Sequence, residues 1–266
     1  MMKICAQASL TRLLFVLLTG LWGWPAMTWA SDYQREKRFA QDISAQLVVG
    51  EAVQIPALST ISFPSFLGLL AEARDKTRPA LVLAHGVGTQ PEDGLTGTLR
   101  KSLHELGYTT LAIQMPIAAK EAQIGDYFPK LFPEAGARLQ AAAQWLSARG
   151  HTRVILVSHT MGSWMANVHF DRVATGGANL YTAWVCISLT GGYSTATQKY
   201  PFVILDLYGE NDIPVTVSSA WRRAGLLRLA APGSQQIKIA GADAQWRGSE
   251  GAATLAIDQF IRQTLH

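Results

Sequence analysis

Three stretches of this sequence are apolar without alternating: Ala80-Leu81-Val82-Leu83-Ala84, Val154-Ile155-Leu156-Val157 within Arg153 to Ser158, and Ala183-Trp184-Val185-Cys186-Ile187. A strand with one wet face alternates apolar and polar side chains, so a short run with no polar member must be covered on both faces. Helical spacing separates these runs. It covers Leu95 to Leu106, closed by Gly107; Pro133 to Arg149, with Gly150 placed as a C-cap; and the segment from the turn after Ser158 to about Val173. Further strands are read at Thr109 to Met115, stopped by Pro116, at Phe202 to Tyr208 and at Gln236 to Ile239, while Ala183 extends to Leu189. Ala252 to Leu265 closes the chain as a helix. Strands alternating with helices predict an α/β chain: a mostly parallel, twisted sheet with right-handed crossovers and helices on both faces.

The N-terminus has a different build. Lys3 and Arg12 precede the apolar run Leu13 to Trp22, Pro25 breaks it, and Thr28 and Ala30 supply small residues. That is the three-part form of an export signal, with cleavage expected after Ala30, so residues 1–30 are set aside from the fold. The run is shorter than the about 20 apolar residues that cross a bilayer, so no membrane span is expected after cleavage. Residues 31–65 form a lead-in, where Gln46-Leu47-Val48-Val49 and Val53-Gln54-Ile55 are expected to pair as an edge hairpin turned at Gly50. Residues 66–266 are expected to be one domain, since no repeat and no Pro-, Gly- or Ser-rich linker divides them.

Composition narrows the partners. Of the 266 residues, 48% are hydrophobic and 16% charged, which excludes a disordered chain. Without Lys3 and Arg12, 21 basic residues face 19 acidic ones and form no run, so no nucleic-acid partner is expected. Cys5 leaves with the signal. Cys186 alone cannot form an internal disulfide, and inside its apolar run it reads as a core residue. No set of His, Asp and Glu has metal-ligand spacing, so neither a metal nor another cofactor is expected.

In parallel sheets, functional groups gather at the carboxyl ends of the strands. Three such ends are informative. His85-Gly86-Val87-Gly88 follows the first buried run, with residues small enough to let backbone N–H groups face a cavity. Ser158-His159-Thr160-Met161-Gly162 joins strand to helix. Tyr208-Gly209-Glu210-Asn211-Asp212-Ile213-Pro214-Val215 puts an acid in a turn. In this order and on these elements the loops resemble the α/β-hydrolase superfamily, and more narrowly a branch of unassigned function exported by Gram-negative bacteria. The resemblance runs from about Phe66 to Arg262, through Leu99 to Leu103, Gly107 to Leu111, Leu131 to Ala135, Leu205 to Gly209 and Gly241 to Asp243. It implies an α/β-hydrolase-like sheet, a periplasmic location and a site built on a nucleophile, a histidine and an acid.

Position by position, the resemblance puts Thr160 at the nucleophile, Asp212 at the acid and Ala244 where the histidine would stand. Of Gly-x-Ser-x-Gly only the final glycine is present, as Gly162. A nucleophile elbow has positive φ, which a β-branched residue tolerates poorly. With no imidazole at 244, the triad has nothing to accept the hydroxyl proton; loss of one member costs such hydrolases roughly 10⁴ to 10⁶ in rate. The N–H groups of Val87 and Met161 would still serve as oxyanion donors, sustaining about 10³-fold over water. His85, in the oxyanion loop, and His159, next to Thr160 in sequence, are the candidates for a relocated base. Otherwise His85 bonds within its loop and His159 fills space beneath the turn. Ser158, Ser163 and Ser194 are alternative hydroxyls. His104, His151 and His169 read as surface residues, and His266 as remote. Residues 190–200 are too few for a lid domain, leaving an open groove that Tyr193, Tyr200 and Trp246 are expected to line. The expected function is a non-catalytic periplasmic factor that binds a small molecule or a protein. The alternatives are a hydrolase of esters or acyl conjugates using Thr160 or a nearby serine, and a scaffold without ligand.

Overall fold

The computed structural model describes residues 31–58, 65–118, 122–123, 125, 131–193 and 200–264. The export signal, Ser194 and His266 lie outside the described residues. The strands are β1 (Glu51–Pro56), β2 (Ser65–Ala71), β3 (Ala80–Ala84), β4 (Thr109–Ile113), β5 (Val154–His159), β6 (Ala183–Ile187), β7 (Val203–Asn211) and β8 (Gln235–Asp243). The helices are α1 (Tyr33–Gln46), α2 (Gly94–Glu105), α3 (Phe132–Ala148), α4 (Met161–Ala174), α5 (Pro214–Leu227) and α6 (Glu250–Thr264). All eight strands join one sheet in the order β1-β2-β4-β3-β5-β6-β7-β8. β2 runs antiparallel to β1 and β4, and every other pair is parallel.

The non-alternating runs are explained by two cores. In β3, Ala80, Val82 and Ala84 face one core, shared with Leu139 of α3 and Phe170 of α4. Leu81 and Leu83 face the other, shared with Leu99 of α2 and Ile257 of α6. Every residue of β3 and of β6 is buried. Truncating a leucine so enclosed costs about 2–5 kcal/mol. The chain crosses from β6 to β7 within residues 188–202, which leaves no room for a lid domain. Among the described residues no helix is long and apolar enough to cross a membrane.

The lead-in departs from the expected hairpin. Residues 47–50 are not strand, and β1 pairs instead with β2, Ile55 opposite Phe66 and Val53 opposite Gly68. Gly50 does turn the chain, at φ 77°, and only glycine fits there because a Cβ would lie 2.0 Å from the Leu70 carbonyl oxygen. The helix α1 was not foreseen. It is polar, and a buried ion network anchors it. Arg138 of α3, fully buried, donates to Glu36 at 2.8 Å, to the Gln114 carbonyl at 2.9 Å and to Glu134, which also accepts from Ser31 and Tyr33. Removing one member of such a buried pair costs about 3–5 kcal/mol. Burial pushes the Glu36 carboxyl up to about 7, and Arg138 offsets that only in part.

Candidate active site

Thr160 stands between β5 and α4 at φ 48° and ψ −112°. Its N–H still completes the sheet ladder, donating to the Ile187 carbonyl at 2.9 Å, while its carbonyl accepts from Trp164 N–H to start the helix. One residue therefore has to end a buried strand and open a helix, which forces the sharp turn. Gly162 lets α4 approach β3: a Cβ there would lie 2.6 Å from the carbonyl oxygens of Ala84 and His85. The Thr160 hydroxyl is turned against Gly86, where a Cβ would come within 2.0 Å of Oγ1. Among the described residues nothing hydrogen-bonds that hydroxyl, and the N–H groups of Val87 and Met161 donate to nothing. Among the described residues the turn thus brings together a hydroxyl and two backbone N–H groups that have no hydrogen-bond partner.

The acid side is closed. Asp212 is buried, and its Oδ2 accepts from Ser188 Oγ at 2.5 Å while Oδ1 accepts from Ile213 N–H at 2.8 Å. Ser188 Oγ in turn accepts from the Trp246 indole N–H at 2.9 Å. The carboxylate leads to a hydroxyl and an indole, not to an imidazole. Ser188 (φ 53°) and Trp246 (φ 61°) share positive φ with Thr160, and no other described non-glycine residue does. Each such conformation costs of order 1–3 kcal/mol and persists only where the surroundings enforce it. Here the Ser188 N–H is tied to the Leu207 carbonyl at 2.9 Å and the Trp246 N–H to the Asp243 carbonyl at 3.2 Å.

Both nearby histidines are partly tied to backbone. His85 bonds the Gly86 carbonyl through Nδ1 at 2.9 Å and accepts the Met115 N–H on Nε2 at 3.0 Å. Both ring nitrogens are therefore occupied, and burial lowers its pKa to about 4. The His159 ring lies against the Ala244 backbone, with Nε2 buried and unpartnered; burial lowers its pKa to about 4 as well. The alternative hydroxyls point inward: Ser158 Oγ accepts from the Trp184 indole and pairs with Ser163 Oγ, which donates to the Ile187 carbonyl.

Several residues sit deeper than the sequence suggested. Trp246 is fully buried, and Tyr193 packs edge-on against Trp184 in the core. Tyr200 stacks on Phe202. None forms a groove rim: Tyr193 and Tyr200 belong to one core and Trp246 to the other. His151 and His169, expected at the surface, are buried too, His169 beside Phe170 and Tyr181. Beside the turn, a cavity of about 10 Å³ is bounded by His85, Gly86, Val87, Met161 and Met165. That holds at most one water. Ser188 carried no signal in the sequence, since a serine ending a strand is ordinary. Asp206 did carry one: a carboxylate inside a buried strand needs a cation, and Arg223 supplies it at 2.8 Å.

No family model and no curated protein matches the sequence. Solved structures do match its fold. Est1E from Butyrivibrio proteoclasticus, with ferulic acid bound, aligns at TM-score 0.63 and 13% identity over 80% of this chain and 99% of its own. A lidless α/β serine hydrolase from Xanthomonas campestris, XC6422, aligns at TM-score 0.58 and 13% identity over 81% and 95%. The esterase of the archaeon Pyrobaculum calidifontis aligns at TM-score 0.60 and 15% identity over 87% and 93%. The fold of this chain is that of the α/β hydrolases.

Proposed function

We propose that this chain is an exported, non-catalytic protein of α/β-hydrolase fold that serves the periplasm as a binding or assembly factor. The observation that carries the reading is the engagement of Asp212 with Ser188 and Trp246, in a site whose histidine position holds Ala244. A triad acid works by orienting an imidazole that shuttles the nucleophile's proton. Here the acid orients a hydroxyl bonded to an indole, and the hydroxyl of Thr160 keeps its proton. The export signal and the fold neighbours, one of them an esterase by name, support the compartment and the ancestry of the scaffold, not an activity.

Reaction with a fluorophosphonate tests this directly. The expected result is no labelling of the wild type and no hydrolysis of short acyl esters. Thr160→Ser combined with Ala244→His should create measurable esterase activity, because the oxyanion donors are already open. The open N–H groups of Val87 and Met161 are what favour a hydrolase instead. Labelling at Thr160, or ester hydrolysis abolished by Thr160→Ala, would establish that second reading and end the first.

A further inference from the structure

Ser31 is the residue that cleavage after Ala30 would leave first, and it is fixed in the fold. It is buried, its Oγ donates to Glu134 Oε2 at 2.6 Å, and the N–H of Asp32 donates to the Ile117 carbonyl at 2.8 Å. Asp32 caps α1 by accepting from Arg35 N–H at 3.0 Å, and the Tyr33 hydroxyl donates to the same Glu134 oxygen at 3.1 Å. The nitrogen and Oγ of a serine are three bonds apart, so the Ser31 nitrogen lies within about 6 Å of that carboxylate oxygen in any rotamer. The cluster around it is short of positive charge. Glu36 and Glu134, their side chains 4% and 10% exposed, both pair with Arg138. Tyr33, raised to about 12, and His85, lowered to about 4, are neutral at pH 7. Among the described residues two buried carboxylates thus share one guanidinium, an arrangement that leaves one negative charge uncompensated. Burial lifts Glu36 to about 7 against the pull of Arg138, in keeping with that shortage.

We propose that the α-ammonium group created by removal of the export signal is the second cation of this cluster, set beside Glu134, so that the anchoring of α1 is completed only in the cut chain. The cut is a hydrolysis. Water breaks the Ala30–Ser31 amide, its oxygen passes to the Ala30 carboxylate, and the Ser31 nitrogen departs as –NH₃⁺. In the uncut chain that nitrogen is a neutral amide with a single N–H. Processing therefore tightens the fold: α1 is held by one buried cation before the cut and by two after it. The inference rests on the export reading and on cleavage after Ala30, and whether Thr160 reacts does not bear on it.

Protein collected from the periplasm of an expressing bacterium should begin at Ser31 by N-terminal sequencing. Any other start would overturn the expected cleavage and this inference together. In protein that does begin there, the ¹⁵N-labelled α-amino group should titrate above about 9 instead of at the ordinary value of about 7.7–8.0, because the carboxylates beside it favour the ammonium form. That protein should also melt about 3–8 °C above a chain beginning at Trp29, in which the Ser31 nitrogen is still an amide. Glu134→Gln should lower the titration and shrink the difference in melting. An α-amino group titrating in the ordinary range, or equal melting of the two chains, would overturn the inference and leave the export reading intact; the titration needs no variant, so misfolding of Glu134→Gln cannot hide the answer. Labelling of Thr160 by a fluorophosphonate would sink the non-catalytic reading and leave this one standing.

Discussion

On the oxyanion side of the Thr160 turn, the N–H groups of Val87 and Met161 are open, Gly86 gives the hydroxyl its space, and His85 is pinned to backbone on both ring nitrogens. On the acid side, Asp212, Ser188 and Trp246 bond one another, and Ala244 contributes no ring. The first side consists of backbone placed by β3, β5 and α4, so any sequence that folds this way carries it. The second consists of side chains the fold does not dictate. A hydrolase frame can therefore be carried by the backbone while the side chains around it differ.

The comparison can be broken first at Trp246. Trp246→Ala removes a fully buried indole and should cost about 3–5 kcal/mol, measured by urea unfolding. A loss under about 1 kcal/mol would mean that the acid side is not structural. The oxyanion side should respond more mildly. Gly86→Ala drives a Cβ against Thr160 Oγ1 and should cost about 1–3 kcal/mol. Thr160→Gly relieves the positive φ and should stabilise by about 1 kcal/mol. In the double variant the Gly86→Ala cost should shrink, a non-additivity that reports direct contact.

A pH dependence of mixed sign should accompany these effects. His85, His159 and His169 all have pKa values lowered by burial to about 4 from the ordinary 6.5. Their contribution to stability is complete above about pH 6.5 and is lost as pH falls toward 4, because the unfolded chain takes up protons the folded one refuses. Glu36, raised to about 7 from 4.5, contributes fully below about 4.5, and that share is lost as pH rises through 7. Three groups against one predict a net loss of stability on acidification. Glu36→Gln should steepen it, as read from thermal melts between pH 4 and 7.5.

The sheet was legible because β3, β5 and β6 are buried on both faces, a condition that leaves no polar residue in the run. α1 was not, since Tyr33-Gln34-Arg35-Glu36-Lys37-Arg38 offers no apolar stripe and is held by Arg138, about a hundred residues away. The pairing of β1 was misread for a related reason: its partner β2 is apolar on both faces and lies beyond the turn at Gly50, so alternation gave no guide. Within the site, the order of the three loops located Thr160, Asp212 and Ala244. It could not show Ser188, whose role arises from a positive φ and a contact across the sheet, nor that Trp246 points inward.

The N–H groups of Thr160 and Ser188 are the last rungs linking β5 to β6 and β6 to β7. Each strained turn is thus riveted to the neighbouring strand, and neither opens without breaking a bond of the central sheet. Amide protons in turns ordinarily trade with solvent quickly; at these two positions exchange should be as slow as in the strands themselves, waiting on rare openings of the whole parallel ladder.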